Sequence, residues 1–85
     1  MKQFTYVITD PEGMHARPAG LLVKTAGVYE SNITIEKEGK SADAKRIFGI
    51  MSLGIKNGNE VTVTVEGPDE DIAAEEVMKF MKDNL

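Results

Sequence analysis

His15 is the only histidine of the chain, and it lies in the run Gly13-Met14-His15-Ala16-Arg17-Pro18-Ala19-Gly20. The run places an imidazole where a loop turns into a helix, with an arginine two residues on. A helix start offers free backbone N–H groups and a partial positive charge. Such a site holds anions, phosphate above all. A neutral imidazole is the nucleophile that phosphoryl transfer needs. One ring nitrogen can carry the phosphoryl group while the helix end and the Arg17 guanidinium fork hold its oxygens. Gly13 lets the loop backbone approach closely, Ala16 leaves the helix end open, and Pro18 stiffens the first turn.

A second feature is the stretch Ile47-Phe48-Gly49-Ile50-Met51-Ser52-Leu53. Its apolar residues occupy nearly every side of a two-turn helix, which an 85-residue protein cannot bury all round. Ile50 and Leu53 are expected inward. Some of Ile47, Phe48 and Met51 are expected outside, as an apolar docking patch of the kind that marks an interface; methionine suits such a surface. The acidic C-terminal segment reads as a solvated helix face with no chemistry of its own.

The elements that position these residues follow from periodicity. Residues 2–9, KQFTYVIT, alternate with Phe4, Tyr6 and Ile8 on one face, which predicts a strand. Asp10-Pro11-Glu12-Gly13 is turn chemistry. A helix is predicted over Ala16 to Ala26, with Ala19, Leu22, Val23 and Ala26 as its apolar stripe. Gly27 is expected to end it in a left-handed cap. Asn32 to Lys37 and Lys40 to Asp43 form two further strands around Glu38-Gly39. Residues 46–53 make the short helix, closed by Gly54. Glu60 to Glu66 is the cleanest strand, with Val61, Val63 and Val65 inward. The last helix spans Glu70 to Lys82, with Ala73, Ala74, Val77, Met78, Phe80 and Met81 inward. The order β-α-β-β-α-β-α with alternating strands argues for an antiparallel sheet with one wet face. All three helices then cover the other face, an α+β open-faced β-sandwich built as one domain over residues 1–85.

Composition narrows the function classes. No cysteine is present, which excludes disulfides and thiol chemistry. With one histidine and scattered carboxylates, no metal is expected. No run of about 18 apolar residues occurs, so no membrane insertion is expected. The start MKQFTYVITD lacks a signal-peptide core, so the cytoplasm is the expected compartment. The net charge is −4. Residues 15–57 carry seven basic and four acidic side chains, whereas residues 58–85 carry two basic and eight acidic ones. The segment holding His15 is thus the basic part of an acidic protein, suited to steering acidic partners or phosphate. Nucleic acid is a poor partner for a chain of this charge without an aromatic-rich basic stripe.

These residues resemble the histidine-containing phosphocarrier (HPr) family of the bacterial sugar phosphotransferase system. The resemblance spans the chain. It rests on GMHARPAG at 13–20, KSADAK at 40–45, IFGIMSLGIKNG at 47–58, and the element order. It implies that Nδ1 of His15 accepts a phosphoryl group from phospho-enzyme I, whose own donor is phosphoenolpyruvate. The group then passes to the IIA domains of sugar permeases. Arg17, with the backbone of Ala16 and Arg17, would hold the phosphate. Ala16, Gly20, Lys24, Ile47, Phe48 and Met51 would dock both partners. The carrier would be a cytoplasmic monomer without cofactors, a stoichiometric phosphoryl carrier and not an enzyme. In the most similar subgroup a regulatory serine starts the short helix; here Arg46 stands there, while Ser41 and Ser52 lie elsewhere. No regulatory serine is therefore expected. Two other readings stay open: a non-catalytic regulatory docking module of the same fold, and a phosphocarrier of the nitrogen branch.

Overall fold

The computed structural model describes residues 1–85. Strands β1 (Lys2–Val7), β2 (Asn32–Lys37), β3 (Lys40–Asp43) and β4 (Glu60–Glu66) form one sheet in the order β1-β4-β2-β3. All pairings are antiparallel, with Phe4 opposite Val63 and Ile35 opposite both Val63 and Ala42. Period-two alternation sends Ile33, Ile35, Val61, Val63 and Val65 to one face, where each is almost fully buried. Thr34, Glu36, Thr62 and Thr64 occupy the wet face. Phe4 and Tyr6 are only half-buried because β1 lies at the sheet edge.

Helices α1 (Ala16–Gly27), α2 (Ile47–Ser52) and α3 (Glu70–Asn84) cover the apolar face. Ala19, Leu22 and Ala26 of α1, Ile50 of α2, and Ala73, Val77 and Met81 of α3 close one core with the strands. A fully buried residue such as Leu22 or Val77 contributes about 1.5–3 kcal/mol by leaving water. The expected inward residues hold, except that Val23 and Met78 are half-buried. The open-faced sandwich is thus the observed architecture.

Four elements differ in their ends from expectation. α2 is one residue shorter at each end than 46–53, with Arg46 and Leu53 as its caps. β1 stops at Val7, because the Thr9 and Asp10 N–H groups leave the sheet and donate to the main-chain oxygen of Leu85. That anchor also lets α3 run past Lys82 to Asn84 and buries Leu85. Gly27 is not left-handed: it is the last residue of α1, and Tyr29 N–H donates to Ala26 O (3.2 Å) to close the turn. The left-handed glycine occurs instead after α2, at Gly54 (φ +61°).

Candidate functional site

The loop between β1 and α1 is held from both sides. Asp10 Oδ1 accepts from Glu12 N–H (2.8 Å), and Asp10 O accepts from Gly13 N–H (3.0 Å). Gly13 has φ +66°, and a Cβ there would lie 2.5 Å from Ile55 O. Only glycine fits that position. Met14 is buried, and its N–H donates to Ile55 O (3.0 Å). The next residue is thereby pushed to the surface.

That residue is His15, the N-cap of α1, extended at φ −84° and ψ −176°. Its carbonyl accepts from Ala19 N–H (3.1 Å), the first bond of the helix. Its side chain does not cap the helix. Pro18 has no N–H, so the backbone donors of the first turn are those of Ala16 and Arg17, and no acidic residue stands in that turn to occupy them. The imidazole is 37% exposed, open enough for a partner to reach. His15, Arg17, Pro18 and Leu21 share a shallow hollow of about 220 Å³ with Asp10, Asp83 and Asn84. A partly exposed imidazole and the Arg17 side chain thus share one hollow at a helix start whose Ala16 and Arg17 amides no side chain caps.

Two features of the hollow escape the linear sequence. It is not uniformly basic: Asp10 and Asp83 line it, because the fold brings the end of α3 beside the start of α1. The acidic helix therefore does border the site. The carboxylates read as scattered are also partly gathered. Ligand atoms of Asp10, Glu12 and His15 lie within 4.8 Å of one another, and Glu12 Oε2 lies 3.3 Å from His15 Nε2. One imidazole and two carboxylates are an incomplete ligand set for a structural metal. The i, i+3 spacing of Glu12 and His15 was the one available signal, but it carries meaning only once the turn is known.

The second surface adjoins the first. α1 and α2 pack side by side, with Ile47 Cδ1 3.8 Å from the point where a Cβ on Gly20 would sit. Ile47 is half-buried, Met51 is 39% exposed and Phe48 is 87% exposed. Ile50 and Leu53 face the core. Leu21 is 42% exposed at the edge of the hollow, and Ala16, Arg17 and Lys24 are exposed on α1. Arg46 is the N-cap of α2, makes no cap bond, and is 81% exposed with Asp43 Oδ2 3.8 Å away.

The model of the PTS HPr component phosphorylation site matches residues 2–83. The chain is similar to the histidine-containing phosphocarrier protein of Mycoplasma (40% identity, 96% of this chain and 93% of that one, TM-score 0.94). It is similar to HPr-C-His of Thermoanaerobacter tengcongensis (43%, 98% and 93%, TM-score 0.93). An HPr dimer from that organism also matches (43%, 98% and 95%, TM-score 0.78). The chain belongs to the HPr family and is a phosphoryl carrier of the phosphotransferase system. No helix is long and apolar enough to cross a membrane.

Proposed function

We propose that His15 accepts a phosphoryl group from phospho-enzyme I and donates it to IIA domains of sugar permeases. Nδ1 attacks phosphorus, the donor's bond to phosphorus breaks, and its electron pair stays with the donor. The Ala16 and Arg17 amides and the Arg17 guanidinium take the phosphate oxygens, where charge-assisted bonds are strongest. Ala16, Gly20, Lys24, Ile47, Phe48 and Met51 form the docking face for both partners. The 85 residues act as one domain, a cytoplasmic monomer needing neither metal nor cofactor. The carrier is consumed and regenerated by its partners, so it is not itself an enzyme. Arg46 leaves the start of α2 without a phosphorylatable serine.

The observation that carries this reading is the exposed imidazole at a helix start whose Ala16 and Arg17 amides no side chain caps, with Arg17 in the same hollow. The test is incubation with enzyme I and phosphoenolpyruvate. The chain should gain acid-labile, base-stable phosphate, and His15→Ala should gain none while keeping its fold. Labelling retained in His15→Ala would sink the assignment.

A further inference from the structure

Glu12 has no part in the transfer as described above, yet its carboxylate faces the reacting ring. Its main chain is fixed by the Asp10 turn, and His15 N–H donates to Gly13 O (3.0 Å), which fixes the backbone from which the imidazole projects. Glu12 Oε2 lies 3.3 Å from the Nε2 of the ring. A carboxylate oxygen at that distance repels a nitrogen lone pair and attracts an N–H. The partner of one ring nitrogen decides which nitrogen carries the proton.

We propose that Glu12 is a positioning residue that assigns the reacting nitrogen. It keeps the proton on Nε2, leaves the lone pair on Nδ1, and so confines the phosphoryl group to Nδ1. The proposal rests on the reading of His15 as the phosphoryl acceptor. When Nδ1 attacks, the Nδ1–P bond forms and the donor's bond to phosphorus breaks, its electron pair staying with the donor. The ring keeps its Nε2 proton and becomes an N-phosphoimidazolium, whose positive charge Glu12 faces. When the group moves on, the pair returns to Nδ1 and the neutral Nε2–H ring is restored. No proton enters or leaves in either direction.

The test uses the whole chain with ¹⁵N-labelled histidine, as wild type, Glu12→Ala and Glu12→Gln. Long-range ¹H–¹⁵N spectra at a pH where the ring is neutral report the tautomer. Phosphoramidate, a small donor whose P–N bond breaks to release ammonia, then phosphorylates the ring, and ³¹P and ¹⁵N shifts identify the isomer. Wild type should show Nε2–H and phosphate on Nδ1 alone. Glu12→Ala should raise the Nδ1–H population severalfold and place part of the phosphate on Nε2. Glu12→Gln, which keeps a carbonyl oxygen, should stay close to wild type. Uptake from phospho-enzyme I should fall about two- to fivefold in Glu12→Ala, the size expected for a solvent-exposed contact. A wild-type tautomer ratio in Glu12→Ala overturns the proposal, and so does a single Nδ1 isomer. Neither reading of the free or chemically labelled ring needs enzyme I. Failure of enzyme I to label wild type therefore removes the relay assignment and leaves the Glu12 result standing separately.

Discussion

Arg46 is the N-cap of α2, with an extended backbone and no side-chain bond to the helix. Its carbonyl accepts from Ile50 N–H (3.1 Å), so the helix starts without a cap for its other free amides. The guanidinium brings positive charge to the positive helix end, and its 3.8 Å pairing with Asp43 is too exposed to offset much. Arg46→Ser should therefore raise the unfolding free energy by about 0.5–1 kcal/mol in urea titrations, the usual gain from a serine cap. Offered ATP and the dedicated kinase that the resemblance implies for the similar subgroup's regulatory serine, the protein should take up no phosphate; robust serine labelling would contradict this. His15 and Arg17 were legible at this scale because one turn of helix fixes their relation. Glu12 was not, since a carboxylate three residues before a histidine faces it only if the intervening loop turns back.

At the scale of elements, α2 has more apolar residues than the core has room for. Ile50 and Leu53 take the inward side, and the helix turns Phe48 outward. Phe48→Ala removes almost no buried surface, so its stability should stay within about 0.5 kcal/mol of wild type. Phosphoryl transfer from enzyme I should slow all the same, through a higher KM; unchanged kinetics would remove Phe48 from the docking face. Gly27 makes the opposite case. It ends α1 in ordinary helical conformation, and an added Cβ would meet nothing within 4 Å. Gly27→Ala should stabilise the chain by about 0.4–1 kcal/mol by restricting the unfolded state, a rise in Tm of roughly 2–8 °C. A fall in Tm would show that the left-handed cap expected from the sequence forms in solution.

Across the whole molecule, one carboxylate links elements far apart in sequence. Asp69, just before α3, accepts from the N–H groups of Glu30 and Ser31 (both 2.9 Å) and from the Ser31 hydroxyl, tying α3 to the start of β2. Ser31 is fully buried. The Ser31 hydroxyl and the backbone N–H groups hold the Asp69 carboxyl below its usual range. Because the folded value lies below the unfolded one, its stabilisation is complete above the ordinary carboxylate range. It is lost as pH falls toward the lowered folded value. Asp69→Asn should therefore be less stable than wild type at pH 7, and the gap should narrow on acidification below about pH 4. Denaturant midpoints between pH 7 and pH 3 measure it; a gap constant across that range would exclude the carboxylate as the cause.

Alternation and helical periodicity by themselves determined the element order, the inward faces of β2 and β4, and the identity of the histidine and arginine at the helix start. Those features depend on neighbours within a few residues, so local sequence carries them. Only the tertiary structure decided that the end of α3 closes one side of the hollow, that Glu12 faces Nε2, and that Phe48 rather than Ile47 points fully outward. Each of these depends on where a distant segment packs or how a loop returns, and spacing along the chain is blind to both.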